Sequence, residues 1–127
     1  MKRLNIAIVG LGNIGSYLYK YLKKNKKILS KKNNCVPNVT YISAKNRNRY
    51  RGFKINKKIW LNNYLESTKN KNVDLIVELI GGAEGPAKKL VFSALKNKKH
   101  VVTANKALIA KYGLSLIHIS EPTRQSL

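Results

Sequence analysis

The feature that most constrains the fold of this chain is a glycine-rich turn close to its N-terminus. A short apolar run at residues 6–9 is followed at once by Gly10-Leu11-Gly12-Asn13-Ile14-Gly15, and a helix-forming segment, residues 16–24, comes next. This order of buried strand, G-x-G-x-x-G turn and helix is the one that a dinucleotide-binding site requires. The sequence therefore predicts a dinucleotide ligand here. The alternative is a glycine-rich turn without a ligand.

Each of the three glycines has a separate physical task in such a turn. Gly10 permits the tight turn at the end of the strand, and Gly12 lets a pyrophosphate approach the backbone closely. Gly15 allows the helix to pack against the sheet. The N-terminus of the helix then directs unpaired N–H groups and a partial positive charge at the phosphates.

The length and composition of the chain indicate one globular domain. It has 127 residues, of which 43% are hydrophobic, and this suits a single core rather than disorder. The apolar runs fall short of the ~18–20 residues that span a bilayer, and no export segment precedes the first strand. A single cysteine, Cys35, excludes an internal disulfide and suits a reducing compartment. We therefore expect a cytoplasmic protein with no membrane partner, and we predict no metal site.

The net charge of +21 is unusual for a domain of this size. Such a charge can indicate nucleic-acid binding, because lysine and arginine neutralise phosphates. Here the lysines are spread along the chain, and no aromatic-interleaved or helix-turn-helix pattern organises them. Lys, Asn, Ile and Tyr are abundant together, and all have A/T-rich codons, so a base-composition bias is the favoured explanation. We predict no specific nucleic-acid partner, although the field would still attract anionic ligands.

Predicted strands and helices alternate along the rest of the chain. Residues 25–34 are polar and basic and indicate a solvated connection. The alternation predicts an α/β fold, a Rossmann-type doubly wound parallel sheet that is incomplete at its C-terminal end. The predicted elements are strands at 39–44, 73–80 and 101–104, a short helix within 60–71, an amphipathic helix from Pro86 to Leu95, and a helix at 106–112 that Gly113 caps.

The segment after the second strand bears on the choice of cofactor. NAD-selective sites usually place Asp or Glu there to bind the ribose 2′-hydroxyl. This chain has Lys45-Asn46-Arg47-Asn48-Arg49 instead, without an acid. Lys45 and Arg47 would pair with a 2′-phosphate, which a carboxylate would repel. The sequence therefore favours NADP as the cofactor, with NAD use left open. The alternative is that these residues form a basic surface loop produced by the same codon bias.

Three motifs in this order resemble those of homoserine dehydrogenase. They are the glycine turn, the stretch from Asp74 to Gly82, and the stretch from His100 to Gly113. The most specific part is His100-Val101-Val102-Thr103-Ala104-Asn105-Lys106-Ala107-Leu108-Ile109-Ala110, which is similar to the strand and turn that this family places beside the nicotinamide. The resemblance covers residues 1–113. The chain departs from the commoner family pattern at Lys45-Asn46, where Arg-Asp is frequent.

The resemblance implies reversible NAD(P)-dependent hydride transfer between L-aspartate 4-semialdehyde and L-homoserine, in threonine, methionine and isoleucine biosynthesis. It implies a small-molecule substrate and a homo-oligomer for the full-length enzyme. Glu78 would either orient Lys106 or end its strand in solvent. By position, the resemblance assigns Gly10, Gly12, Asn13, Ile14 and Gly15 to the pyrophosphate, Gly81, Thr103 and Ala104 to the nicotinamide side, Asn105 to the cofactor, and Lys106 to the cofactor and to catalysis.

The last residues do not match what the family has next. The stretch from Leu114 to Arg124 resembles an in-frame translation of a transposase-type sequencing-library adapter, and the lysine-rich usage stops at Lys111. We therefore expect residues 1–113 to be a cofactor-domain fragment and residues 114–127 to be a non-native tail, with the substrate and dimerisation domain absent. Such a chain would bind a dinucleotide without turning over homoserine. The alternative is a stand-alone regulatory dinucleotide-binding module, which would not need Lys106.

Overall fold

The computed structural model describes residues 2–120 and contains a four-stranded parallel sheet with helices on both faces. This confirms the predicted α/β fold with a doubly wound parallel sheet. The strands lie in the order β2-β1-β3-β4. They are β1 (Lys2–Val9), β2 (Cys35–Ser43), β3 (Leu75–Glu78) and β4 (His100–Thr103). The helices are α1 (Asn13–Lys24), α2 (Lys26–Asn33), α3 (Pro86–Lys96) and α4 (Lys106–Ser120), with a 3₁₀ turn at Tyr64–Thr68.

The central strand β1 supplies side chains to both layers of the core. Ile6 and Ile8 pack on one face in a cluster that includes Tyr19 of α1, whereas Ala7 and Val9 pack on the other face with Leu90 of α3. This alternation follows from the two-residue period of a strand. The chain crosses from β1 to β2 on one side and then returns to β3 on the other side of β1. Ligands of open α/β sheets bind at such a switch point, beyond the carboxyl ends of the strands.

Two local predictions are wrong between β1 and β3. Residues 26–33 form α2 rather than a solvated connection, and this helix contacts β2 and ends at Asn34, which has a left-handed backbone with φ of 49°. The predicted helix within 60–71 is only the 3₁₀ turn, because Trp60 instead bridges to Ile42 beside β2. Helix α2 is not predicted because its residues are mostly polar. A helix is predicted within 60–71 because the apolar residues of this bridging loop have helix-like spacing.

The prediction that Gly113 caps the last helix is also wrong. Helix α4 continues through Gly113 to Ser120, and Gly113 does not have a positive φ. The helix is extended by packing, since Leu116 joins Leu108 and Val91 in a buried cluster. The helix thus crosses the boundary that the sequence predicts at residues 113 and 114. Residues 121–127, the remainder of the predicted tail, lie outside the described residues.

No helix within residues 2–120 is both long enough and apolar enough to cross a membrane.

Glu84 connects the loop before α3 to α4. Its carboxylate accepts hydrogen bonds from Lys111 Nζ at 2.6 Å and from Tyr112 Oη, and Lys88 Nζ lies 3.7 Å away. The bonds from Lys111 and Tyr112 are the largest causes that lower the pKa of Glu84 from 4.5 to about 2. These groups are solvent-exposed, so we expect the contribution to stability to be small.

The lowered pKa of Glu84 predicts how this contact responds to acid. A carboxylate whose pKa is lower in the folded state stabilises the fold above its unfolded pKa and loses that effect as the pH falls through the folded pKa. Wild type should therefore melt a few degrees at most above Glu84→Gln at pH ~6, and the difference should close as the pH falls toward ~2. Thermal melts of both proteins across this range provide the measurement, and a difference that does not change with pH would contradict the assignment.

Candidate dinucleotide-binding site

The glycine turn brings three strand ends and a helix into close contact. Gly10 has φ of 104°, and a Cβ there would lie 2.5 Å from the carbonyl carbon of Leu79. A Cβ on Gly15 would overlap the carbonyl oxygen of Gly10. Around Gly12, in contrast, no atom outside Gly12 and its chain neighbours lies within 4 Å of the position a Cβ would take. Packing within the protein therefore explains Gly10 and Gly15, whereas the space beside Gly12 is free for a ligand.

Helix α1 begins at Asn13, directly after Gly12. No side chain caps its N-terminus by a hydrogen bond, and its first turn contains no acidic residue. The first N–H groups of a helix have no partner within the helix and carry its partial positive charge. Asn13 and Ile14 are exposed at this end, and the Ile14 side chain is 70% exposed. This N-terminus has the electrostatic character that an anionic group requires.

A cavity of about 520 Å³ lies beyond the carboxyl ends of β1, β2 and β3. This volume falls within the range of cofactor sites, about 300–1,000 Å³. Its position is the switch point of the sheet. The lining residues come from the glycine turn, the segment after β2, the 3₁₀ turn and the start of α3: Val9, Gly10, Leu11, Gly12, Ser43, Ala44, Lys45, Asn46, Arg49, Arg51, Asn62, Tyr64, Leu79, Ile80 and Pro86.

The basic segment after β2 contributes different residues from those that the sequence predicts. Lys45 lines the cavity, but Arg47 is not among its lining residues, whereas Arg49 and Arg51 are. Burial, and to a lesser extent the charge of Arg49, lowers the pKa of Arg51. Sequence reasoning missed Arg49 and Arg51 because a loop has no fixed period from which the direction of each side chain can be read.

A buried carboxylate organises the neighbouring end of the sheet. Glu78, 1% exposed, accepts hydrogen bonds from the N–H groups of Ile80 at 2.7 Å and Gly81 at 3.0 Å through Oε2. Its Oε1 accepts from Thr103 Oγ1 at 2.6 Å, which ties β3 to β4. Neither role that the sequence suggests for Glu78 is correct, since it neither orients Lys106 nor faces solvent. Three donors satisfy this carboxylate, as a buried charge requires.

Asn105 continues this network at the start of α4. Its Oδ1 accepts from the N–H of Leu108 at 3.0 Å, and its Nδ2 donates to the carbonyl oxygen of Gly82 at 2.6 Å. Asn105 is thus the N-terminal cap of α4, a role for which Asn is well suited. Ala104 and Lys106 are exposed beside it. The structure therefore brings Gly81, Thr103, Asn105 and Lys106 to one edge of the sheet, although none of them lines the cavity.

Comparison with known proteins identifies the family. The family model described as homoserine dehydrogenase, NAD binding domain, matches residues 10–126. The chain belongs to the homoserine dehydrogenase family. It is 32% identical to homoserine dehydrogenase of Bacillus subtilis over 117 residues, and 33% identical to that of Helicobacter pylori over 123 residues. The matches cover 92% and 96% of this chain but 27% and 28% of those relatives, so the chain spans about a quarter of their length.

Solved structures of homoserine dehydrogenases share this fold. The crystal structure of the S. aureus enzyme at pH 7.5 superposes with a TM-score of 0.83 at 33% identity, and the match covers 94% of this chain and 30% of that one. A hyperthermophilic archaeal homoserine dehydrogenase in complex with NADPH has a TM-score of 0.70 at 21% identity, covering 93% of this chain and 40% of that one. The second likeness concerns the fold alone. Within this family, the described residues correspond to the NAD-binding domain.

The contrast between Gly15 and Gly12 yields a prediction about stability. Gly15→Ala should lower the free energy of unfolding by about 2 kcal/mol or more, because the added methyl meets a backbone oxygen that must move. Gly12→Ala is the matched control and should cost less than about 1 kcal/mol, since open space receives its methyl. Urea unfolding of both variants gives the two values, and equal losses would contradict the packing described for this turn.

Proposed function

We propose that residues 1–113 are the cofactor-binding part of a homoserine dehydrogenase that reduces L-aspartate 4-semialdehyde to L-homoserine reversibly. The observation that carries the proposal is the free space at Gly12 beside an uncapped helix N-terminus, at the switch point of the sheet. A pyrophosphate needs this combination, because its oxygens must approach backbone N–H groups without an intervening side chain. The family match supports the same assignment.

The residues of the site fit a dinucleotide at each of its parts. Gly10, Gly12 and Gly15 form the turn that would hold the pyrophosphate, with the N–H groups of Asn13 and Ile14 at the helix N-terminus. The adenosine end would lie over the carboxyl end of β2, next to Lys45. The nicotinamide end would lie toward Gly81, Thr103 and Ala104, which the Glu78 network holds in place.

We propose NADP as the preferred cofactor. The cavity is lined at the end of β2 by the exposed side chains of Lys45 and Arg49, and no acidic side chain is among its lining residues within the described part of the chain. Basic groups pair with a 2′-phosphate, and an acid at this position would instead favour the 2′-hydroxyl of NAD. Arg47 stays a candidate for the outer rim only, since its side chain does not line the cavity.

Lys106 is the proposed catalytic residue of this part of the enzyme. A bound nicotinamide cofactor supplies hydride transfer. The ammonium of Lys106, at the carboxyl end of β4, would polarise the substrate carbonyl and stabilise the alkoxide that forms from it. Lys106 occupies the first position of α4, where the helix dipole disfavours a cation. Because Lys106 destabilises the start of α4 electrostatically, a catalytic role explains its presence better than a role in stability.

We further propose that residues 114–127 are not native, because they resemble a translated sequencing adapter, although α4 runs to Ser120 and the family match to residue 126. We propose likewise that residues 1–113 belong to a longer cytoplasmic, homo-oligomeric enzyme. An adapter-free read of the native gene across the codons for Gly113 and Leu114 tests this. Continuation of the reading frame into a substrate domain would support the proposal that the native gene encodes a complete homoserine dehydrogenase. A native stop as written would leave a stand-alone dinucleotide-binding module instead.

The placement of the pyrophosphate predicts the effect of a side chain at Gly12. Gly12→Val should raise the Kd for NADPH at least about 100-fold, because the side chain fills the space at the turn and displaces charge-assisted hydrogen bonds worth about 1.5–3 kcal/mol each. The fold should persist, as far-UV circular dichroism can verify. Fluorescence titration of NADPH into wild type and variant gives the comparison. Undiminished binding by a folded variant would refute the placement.

The role of Lys106 predicts a loss of rate without a loss of cofactor binding. In the longer chain recovered from the native gene, Lys106→Met should lower kcat by roughly 100-fold or more, as removal of one group that stabilises an oxyanion does in other enzymes. The Kd for NADPH should change little. Steady-state kinetics and NADPH titration measure the two quantities, and retention of wild-type kcat would exclude Lys106 from catalysis.

A further inference from the structure

Arg51 joins the loop after β2 to the glycine turn. Its Nε donates a hydrogen bond to the carbonyl oxygen of Leu11 at 3.2 Å, across 40 positions of sequence. Its Nη1 donates to the carbonyl oxygens of Arg49 at 3.0 Å and Arg47 at 3.4 Å, and its Nη2 donates to that of Asn46. One guanidinium therefore binds four backbone carbonyls on two separate segments.

The Leu11 carbonyl fixes the geometry of the turn on which the phosphate site depends. Its oxygen accepts from Ser16 Oγ at 3.0 Å as well as from Arg51, so both of its lone pairs are used. The peptide between Leu11 and Gly12 is planar and trans, and its N–H therefore points away from its C=O. By holding the oxygen, Arg51 and Ser16 set the direction of the Gly12 N–H.

The loop segment is wrapped around the same guanidinium. Residues 46–49 form a turn in which the Arg49 N–H donates to the Asn46 carbonyl oxygen at 3.3 Å and the Asn48 N–H donates to Asn46 Oδ1 at 3.1 Å. The Arg51 guanidinium also lies 5.8 Å from the centre of the Trp60 ring, and Trp60 bridges to Ile42 of β2. The carbonyls of residues 46, 47 and 49 thus surround the Arg51 guanidinium.

The bonds of Arg51 distinguish it from the other basic residues of the cavity. Four hydrogen bonds to carbonyls use most of the five N–H groups of a guanidinium. Little of its bonding capacity remains for a phosphate. Lys45 and Arg49 line the same cavity and are exposed, so their side chains are available to an anionic ligand.

We propose that Arg51 is the positioning residue for recognition of the cofactor 2′-phosphate: it holds residues 45–49 against the glycine turn so that Lys45 and Arg49 face the ligand. This inference rests on the proposed NADP-binding function. Arg51 acts through the loop rather than by direct contact. It keeps the 2′-phosphate and pyrophosphate subsites at a fixed separation.

Arg51→Lys isolates this role because it conserves the charge. The strongly positive protein attracts the more anionic NADPH over NADH through its long-range field, and a substitution by a neutral residue would change that field. A lysine ammonium is a compact group that cannot reproduce the planar fork of arginine. It would not reach the Leu11 carbonyl and the loop carbonyls together. Arg3→Lys, at the opposite end of β1, is the matched control.

The experiment titrates NADPH and NADH separately into the full 127-residue chain, as wild type, Arg51→Lys and Arg3→Lys. In Arg51→Lys, the Kd for NADPH should rise about tenfold, as expected when one charge-assisted hydrogen bond is lost. The Kd for NADH should rise distinctly less, so the preference for NADPH should fall. Arg3→Lys should match wild type. Amide hydrogen exchange without ligand should be faster at residues 46–49 in Arg51→Lys only.

Each outcome bears on the inference. Unchanged affinities, or equal fold losses for NADPH and NADH, would overturn it, because the second result is what general damage to the turn produces. A reduced preference with unchanged exchange at residues 46–49 would also overturn it and would assign Arg51 to direct contact. Wild type that binds both cofactors without preference would overturn it together with the proposed NADP preference. Wild type that binds neither would refute the dinucleotide site itself.

Discussion

The close backbone approach at Gly10 is the constraint on which the rest of this structure depends. Its N–H donates to the Ser43 carbonyl oxygen at the end of β2, and the Leu79 N–H just after β3 donates to the Val9 carbonyl oxygen, each at 2.8 Å. Gly15 of α1 packs directly on the Gly10 carbonyl oxygen. Three strand ends and one helix therefore meet around a single residue that has no side chain. This junction fixes where the cavity opens, and a larger residue there would separate the segments that line it.

The features that the sequence predicts correctly are those with a fixed period or a fixed spacing. The spacing of Gly10, Gly12 and Gly15 predicts a strand, a turn and a helix, and in the structure Gly10 and Gly15 each meet a steric requirement of the packing. The continuous apolar run of β1 predicts a strand that is buried on both faces, and the apolar positions of α3 predict its buried face because a helix repeats every 3.6 residues. The order of these elements then suffices for the parallel sheet. The family resemblance, confirmed by the comparisons, comes from the same local motifs.

The features that the sequence does not predict depend on contacts between distant segments. The hydrogen-bond partners of Glu78 come from the loop that follows it and from Thr103, 25 positions away. No local sequence pattern predicts the hydrogen bond between Glu78 and Thr103. The same holds for Arg51, since its carbonyl partners include one that lies 40 positions earlier in the chain. At Gly113 the sequence-based prediction fails in the opposite way, because it relies on a local rule that a distant contact overrides. A local rule predicts a cap there, but burial of Leu116 against Val91 continues the helix.

Helices α1, α3 and α4 begin at the carboxyl edge of the sheet, and they differ in how many N–H groups their N-termini leave free. This difference explains why α1 is suited to a phosphate. Asn105 caps α4 and satisfies the N–H of Leu108, so that end has less capacity for an anion. Helix α3 also lacks a side-chain cap, but Pro86 at its first position removes one of the N–H groups that could bind an anion. Helix α1 begins after Gly12 with neither a side-chain cap nor a proline. Its free N–H groups, next to open space, therefore combine a positive field with unhindered approach, and a pyrophosphate requires both.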